Sequence, residues 1–337
     1  MESHENSAQY LVKFLVIRFS SIGDIVLTTP VVRCLKQQVE HTEIHFLTKP
    51  EYAYLLESNP YIDKVHTLKI FSQTKEELRN EHFDYVIDLH NNLRSLRFKH
   101  KLKVYDFSFK KLNYEKFLLT KFKKNKLPDI HIVDRYLNTV ELFDVENDGL
   151  GLDYFIDEKS SEKYSELFKD IPEKYIVIAI GAQHNTKKMP LENIAKLCSL
   201  INSEIIFIGG KEDEGIAEKI IELSENKSIT SFCGRINVDG SAILIKNACL
   251  IISHDTGMMH IAAAFKKIIF SIWGNTVPKF GMYPYMADEK SQVFEVENLS
   301  CRPCSKIGKE KCPKKHFRCM KDQNIELIAT EANKIMS

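Results

Sequence analysis

The chain has 337 residues, 44% hydrophobic and 28% charged, which is enough for about two domains with buried cores and too apolar for a disordered chain. Lys and Arg number 47 against 46 Asp and Glu, a net +1 that gives no reason to expect wholesale binding to a polyanion. No apolar run reaches the roughly 18 residues of a membrane span, and the polar start, residues 1–10, lacks the apolar stretch of a signal peptide, so a cytoplasmic protein is expected.

Short apolar runs rich in β-branched residues alternate with helical patterns. The first runs lie at 14–17, 44–47, 65–68, 85–89 and 104–107. A helical pattern at 134–143 leads into an acidic, Gly-containing joint at 146–158. The cycle restarts at 175–180 and continues at 204–208, 229–233, 250–253 and 268–273. Runs of about 5–6 residues separated by helices predict βαβ units and parallel sheets. Two such series predict two doubly wound α/β domains, placed at 1–155 and 156–320. A C-terminal helix, 321–337, is expected to pack back on the first.

The near-neutral total hides an asymmetry. Residues 97–126 carry eleven Lys/Arg against two Asp/Glu, whereas residues 141–173 carry eleven Asp/Glu against three Lys. Phe98, Phe107, Phe109, Tyr114, Phe117, Leu118, Leu119 and Phe122 interleave with the basic residues. That mixture suits an anionic lipid surface, a polyanionic substrate or nucleic acid. A solvated helix with its apolar stripe on its own core reads the same way.

In open α/β sheets ligands sit outside the carboxyl ends of the strands. The first run ends in Arg18-Phe19-Ser20-Ser21-Ile22-Gly23-Asp24, a tight turn into a helix. It lacks the G-x-G-x-x-G spacing of a dinucleotide fingerprint, which argues against a nicotinamide-dependent dehydrogenase. Instead it sets a carboxylate, Asp24, where it can take a proton from an attacking hydroxyl. A helix cap would use the same residue, and spacing does not separate the two. After the fourth run, Asp88, Asn91, Asn92 and Arg94 are candidates for binding an acceptor.

The second half holds more such ends. Asp255-Thr256-Gly257-Met258-Met259-His260 leaves an apolar run and enters a small-residue helix. A helix N-terminus offers unpaired N–H groups and a partial positive charge. Gly257 lets the backbone approach a phosphate, and Thr256 adds a hydroxyl. A cap accounts for one of these residues but not for the set with His260 one turn on, so we read a phosphate site. Lys187, three residues before Pro190, can offer an ammonium to a second phosphate oxygen, or be an exposed loop lysine. Glu214 can accept from ribose hydroxyls, or simply sit well on a helix dipole.

Four of the eight cysteines crowd into the tail: Cys301-x2-Cys304, then Cys312 and Cys319. The first pair has the spacing of a metal knuckle, and four thiolates can close a tetrahedral site, although the wider second spacing departs from a zinc ribbon. Cys34, Cys198, Cys233 and Cys249 fall in apolar patterns and read as core.

The turn at 16–30, the Lys-x-x-Pro at 187–190, Glu214, and the Asp255-Thr256-Gly257-x-x-His260-x-Ala-Ala run together resemble the heptosyltransferases of glycosyltransferase family 9. The order matches over nearly the whole chain. The resemblance implies a GT-B fold, two Rossmann-like doubly wound domains facing across a cleft, with acceptor bound by the first and nucleotide sugar by the second. It implies inverting transfer of heptose from ADP-heptose to the lipopolysaccharide inner core, with no cofactor required for catalysis. Asp24 becomes the general base. Ser21, Gly23, Asn91 and Arg94 turn to the acceptor, and Lys187, Glu214, Asp255, Thr256, Gly257 and His260 to the donor. Similar tail cysteines in the family imply some structural role for Cys301, Cys304, Cys312 and Cys319, and their spacing leaves a structural Zn or Fe open. The partners implied are ADP-heptose and a lipid-linked anionic saccharide, met peripherally at the inner face of the inner membrane, and not nucleic acid. Met189 departs from the family's usual Trp, and Asn185-Thr186 from its usual donor loop.

The absence of any Asp-x-Asp pair disfavours a metal-dependent GT-A transferase. Two rivals stand beside this reading. A nucleotide-sugar epimerase of GT-B fold would turn over donor without acceptor. A non-catalytic membrane or nucleic-acid binder would use residues 97–126 in a salt-dependent way.

Overall fold

The computed structural model describes residues 10–226 and 228–337, so the polar start at 1–9 lies outside it. The chain forms two compact units, Met1–Lys111 with Val133–Leu150, and Leu112–Ile132 with Gly151–Ser337.

In the first unit the strands are β1 (Val12–Ile17), β2 (Thr42–Thr48), β3 (Lys64–Thr67), β4 (Tyr85–Asp88) and β5 (Tyr105–Ser108). All pairings are parallel and the order is β3-β2-β1-β4-β5. Successive β1 residues point to opposite faces, yet Phe14, Leu15, Val16 and Ile17 are all buried, as a strand covered on both faces requires. One face packs Leu15, Ile17, Leu47 and Val86 against Leu78 and Phe98 from the crossover helices. The chain reverses winding direction at β1, so the crevice lies at the carboxyl ends of β1 and β4.

The second unit holds β6 (Ile176–Ala179), β7 (Ile205–Ile208), β8 (Ile229–Ser231), β9 (Leu250–His254), β10 (Ile268–Trp273) and β11 (Gln292–Glu295). Their order is β11-β10-β9-β6-β7-β8, again all parallel. This is the doubly wound dinucleotide-fold order, with its switch point between β6 and β9. The edge strand β11 is not legible in the sequence. Its pattern is mixed and only Phe294 is buried, packed on Phe270.

Two expectations about organisation are corrected. The boundary is not one cut near 155: residues 112–132 belong with the second unit. There Ile132 N donates to Gly281 O at 2.8 Å, and Lys123 Nζ donates to the carbonyls of Cys301 (3.0 Å) and Pro303 (2.6 Å). The last helix, Ile325–Met336, belongs to the second unit and packs in its core. Its Ile325, Ile328, Ala329 and Ala332 join Leu197 and Ile201, at the end of helix Leu191–Leu200, in one core. Asn333 closes that contact by accepting from Asn202 N at 3.0 Å.

The basic stretch is divided as well. Phe98, Phe109 and Leu119 are buried, as the solvated-helix reading requires, whereas Tyr114, Phe117 and Phe122 of helix Asn113–Phe122 are exposed. Among the described residues no helix is long and apolar enough to cross a membrane.

Candidate active site

In the first unit β1 runs into the short helix Ile22–Val26, with Ser21 at its N-cap. Ser21 N (3.2 Å) and Ser21 Oγ (2.9 Å) donate to Asp24 Oδ2, which makes a capping box. The other oxygen, Oδ1, stands 2.7 Å from Arg18 Nη2. Arg18 is itself fixed: Nη1 donates to Leu89 O (2.5 Å) and Tyr136 OH (2.9 Å), and Nε to Ser20 O (2.9 Å). Burial works to raise the Asp24 pKa, but the Arg18 charge and the Ser21 hydrogen bonds outweigh it and hold the carboxyl below its ordinary range. Capping and chemistry are therefore compatible here. Asp24 closes a helix turn and still presents an anionic side chain that is 23% exposed.

The loop after β4 completes this crevice. Buried Asp88 accepts from His90 N (3.0 Å) and Asn91 N (2.7 Å), and Lys99 Nζ lies 3.4 Å from its Oδ2. Asn91, at φ 46°, donates through Nδ2 to Phe109 O at 2.9 Å. Asn92 caps helix Leu93–Leu102, accepting from Arg94 N and Ser95 N, both at 2.9 Å. The two asparagines thus build the loop, and Arg94 is its exposed basic member, 5.8 Å from the Phe19 ring centroid. Gly23 is buried in the first helical turn, where its carbonyl accepts from Leu27 N at 2.9 Å. The imidazole of His90, beside Phe19, is pushed down to about 3 by burial first and then by Arg18, so it is neutral. Its Nδ1 is buried with no hydrogen-bond partner among the described residues.

In the second unit two motifs 68 residues apart converge. Lys187, on the turn Asn185–Lys187, places Nζ 2.6 Å from Asp255 Oδ2 and 3.0 Å from Asp255 O. Thr276 Oγ1 donates to the same Oδ2 at 2.8 Å. Thr256 is the N-cap of helix Gly257–Ala264, and its hydroxyl lies 3.3 Å from Ser253 Oγ without capping the helix. The first-turn N–H groups of that helix and one remaining Lys187 proton stay available to an anion. His260 is buried within the helix. Glu214 is exposed at the start of helix Glu214–Ser224, near Gly234, whose φ is +70°.

A second charged pair was missed in the sequence. Lys188 Nζ contacts Asp213 Oδ1 at 2.8 Å, and Asp213 Oδ2 accepts from Gly210 N at 3.0 Å. A Cβ on Gly181 would lie 2.3 Å from Asp213 Oδ2, so only glycine fits at the end of β6. His254 Nε2 accepts from Met189 N at 3.0 Å, which leaves the ring proton on Nδ1. Burial first, and Lys188 next, push this imidazole down to about 4. The adjacent lysines at 187 and 188 and the Gly-Gly before residue 211 were the available signals. The contacts themselves are too distant in sequence to read.

The tail cysteines line one cavity together with His316, Asn275 and Thr186. Cys301 Sγ is 3.8 Å from His316 Nε2. Among the described residues, no three of these sulfur and nitrogen donors lie within 4.8 Å of one another. Of the four cysteines read as core, Cys34, Cys198 and Cys233 are buried and Cys249 is half-buried.

With both strand-end sites in view, the comparisons decide the family. The family model for glycosyltransferase family 9 (heptosyltransferase) matches residues 71–315. The chain belongs to glycosyltransferase family 9. A relative, lipopolysaccharide heptosyltransferase 1 of Campylobacter coli, is 28% identical over 78% of this chain and 84% of its own length. Among solved structures, the family 9 transferase of Veillonella parvula superposes with TM-score 0.78 at 21% identity, covering 96% of this chain and 97% of that one. The Escherichia coli ADP-heptose lipopolysaccharide heptosyltransferase II gives 0.74 at 19%, covering 96% and 98%. These likenesses establish the GT-B fold, built of two Rossmann-like units. Family 9 membership makes the chain a glycosyltransferase of the heptosyltransferase kind, in lipopolysaccharide synthesis at the family level.

Proposed function

We propose that this family 9 protein transfers a heptose, with inversion, from ADP-heptose to a lipopolysaccharide inner-core acceptor. Asp24 serves as general base, and the reacting centre needs no divalent cation. The observation that carries the reading is the Lys187 ammonium anchored beside the N-terminus of helix Gly257–Ala264. A diphosphate fits that place by charge and by hydrogen bonding.

In the reaction the acceptor hydroxyl oxygen forms a bond to the sugar C1 as the C1–O bond to the diphosphate breaks. The electron pair leaves on ADP, and the hydroxyl proton passes to Asp24. Lys187, Thr256 and the helix amides meet the charge that grows on the leaving group. Arg18 keeps Asp24 ionised and oriented before the step. Glu214 stands toward the ribose, and Arg94 toward an anionic acceptor.

The tail cysteines extend the proposal. Their donor set suits Zn²⁺ or iron, and Asn275 on the same cavity has both amide atoms buried without partners among the described residues. We propose a structural ion on Cys301, Cys304, Cys312 and Cys319, outside the chemistry; holding it requires these donors, no three of which now lie within 4.8 Å of one another among the described residues, to draw together. The enzyme would work from the cytoplasm, peripherally at the inner face of the inner membrane. Tyr114, Phe117 and Phe122, with exposed Lys121, Lys124 and Lys126, supply the contact.

The test is thermal stabilisation by a panel of ADP-, UDP- and GDP-sugars, then transfer from the best one with the product anomer read by NMR. ADP-heptose should stabilise most and the product should be inverted. Preference for another nucleotide would overturn the donor assignment. Donor turnover with no acceptor present would make the protein an epimerase.

A further inference from the structure

Away from both strand-end sites, the first unit gathers a set of nitrogen and oxygen donors that the transfer reaction does not use. His45 on β2 and His66 on β3 lie on one face of the sheet, brought to a diagonal by the register that pairs His45 with Lys64 and Leu47 with His66. Their facing nitrogens, His45 Nδ1 and His66 Nε2, are 2.9 Å apart. Glu81, which ends helix Phe71–Asn80, brings Oε2 to 3.9 Å from His45 Nδ1 and Oε1 to 3.9 Å from His66 Nε2. Among the described residues this is the only group of three or more donors that all lie within 4.8 Å of one another.

We propose that His45, His66 and Glu81 form a binding site for a divalent transition ion, Zn²⁺ by its chemistry, that ties β2, β3 and the end of helix Phe71–Asn80 together. Zinc takes imidazole nitrogens at about 2.0–2.1 Å, so two ligands of a tetrahedral ion stand about 3.3 Å apart. The nitrogens are 2.9 Å apart and each stands 3.9 Å from a different Glu81 oxygen, Oε2 for His45 and Oε1 for His66, so small shifts let the carboxylate meet the ion with one oxygen or both, and a tetrahedral ion keeps a fourth position for water. The outer shell is already built. Glu43 Oε1 stands 2.5 Å from His45 Nε2 and accepts its N–H, which fixes the proton on Nε2 and leaves the Nδ1 lone pair facing the other two donors. Both imidazoles are buried, at 0% and 6% exposure, with Phe83 packed edge-on to them. An ion replaces a direct nitrogen–nitrogen contact that shares a single proton; Glu81, 3.9 Å from each ring nitrogen, has its hydrogen bond with Lys64. Lys64 is 53% exposed and can swing into water when the ion takes its place.

The site is independent of sugar transfer and is tested without it. The full chain, stripped by a chelator and dialysed, is titrated with Co²⁺ and Zn²⁺. Cobalt held by nitrogen and oxygen gives visible bands without thiolate charge transfer, which separates this site from the tail cysteines. Glu81→Gln and His66→Gln should abolish that component and leave any thiolate component intact. Glu43→Gln keeps all three ligands and should weaken Zn²⁺ by about 10–100-fold. Glu81 is partly exposed at a helix end, so its variant stays informative if the buried histidine variant does not fold. Absence of the nitrogen–oxygen component in the wild-type chain, or its survival in Glu81→Gln, overturns the proposal.

Discussion

Lys187 Nζ sits 2.6 Å from Asp255 Oδ2 and 3.0 Å from the Asp255 carbonyl, so a loop after β6 is locked to the turn after β9. The ammonium is thereby held at a helix N-terminus before any ligand arrives, and ordering it on binding costs little. Lys187→Ala should weaken nucleotide-sugar binding by about 1.5–3 kcal/mol, the worth of a charge-assisted hydrogen bond. Calorimetry with ADP reads it. Unchanged affinity alongside a lowered melting temperature would make the pair purely structural.

Asp24 has a double engagement, with Ser21 on one oxygen and Arg18 on the other. Asp24→Asn keeps the hydrogen-bonding shape but not the base. Turnover should fall about 10²–10⁴-fold while donor affinity is unchanged. The carboxyl pKa is held low by Arg18 and Ser21 against burial, so activity should persist until the pH falls below the ordinary carboxylate range. Replacing Arg18 by Gln removes the charge that opposes burial and should move that acid limb upward. An acid limb that stays in place would show that Asp24 is not the titrating base.

The alternation of apolar runs made ten of the eleven strands among the described residues and the doubly wound class legible, because a parallel sheet buried on both faces needs such runs. The places to look were legible for the same reason: ligands of open α/β sheets sit at carboxyl ends, and Asp24 falls in the first helical turn after β1 while Asp255 directly follows β9. What was not legible depends on distant partners. Tyr136 meets Arg18 across 118 residues, and Lys188 meets Asp213 across 25. No local pattern announces either contact. The split at 112–132 was hidden likewise, since the carbonyls that Lys123 reaches lie about the tail knuckle. The pair His45 and His66 read as ordinary strand residues because parallel register, not spacing, brings them together.

The tail reaches the loop that carries Lys187 through Thr186. Its N (3.0 Å) and Oγ1 (2.9 Å) lie against Lys309 O, and Lys309 N donates back to Oγ1 at 2.8 Å. Lys309 lies between Cys304 and Cys312, and Thr186 immediately precedes Lys187. Thr186→Val removes the hydroxyl from both bonds and should weaken ADP binding several-fold with no change in metal content. Cys304→Ser should weaken ADP binding and lower metal content together. If metal is lost with no change in ADP affinity, the knuckle does not position the donor loop.

Buried His254 and half-buried His90 contribute to the acid sensitivity. Burial and cationic neighbours depress His254 to about 4 and His90 to about 3, against about 6.5 for an unfolded histidine. Below about pH 6.5 the unfolded chain takes up protons at these positions and the native chain does not. Stability therefore falls as pH drops toward 4. Urea midpoints at pH 7 and pH 5 should differ in that direction, and His254→Gln should reduce the difference. An unchanged pH dependence in that variant would mean that His254 does not contribute.

The exposed face of helix Asn113–Phe122 tests the membrane expectation. Phe117 and Phe122 are 50% and 55% exposed and pack edge to face at 5.8 Å, with exposed Lys121, Lys124 and Lys126 close by in sequence. Lys123 does not belong to this set, because its ammonium is bonded to the carbonyls of Cys301 and Pro303. Each lysine near an anionic surface is worth about 1 kcal/mol, screened beyond a Debye length of about 8–10 Å. Changing Lys121, Lys124 and Lys126 to Gln should therefore weaken binding to anionic vesicles by roughly a hundredfold at low salt. Changing Phe117 and Phe122 to Ser should weaken it at all salt concentrations, since that part of the contact is hydrophobic. Transfer to a lipid-borne acceptor should fall with vesicle binding, while transfer to a soluble acceptor fragment should not. Equal loss on both acceptors would move these lysines into the acceptor pocket, and no loss on either would make the helix an ordinary solvated face.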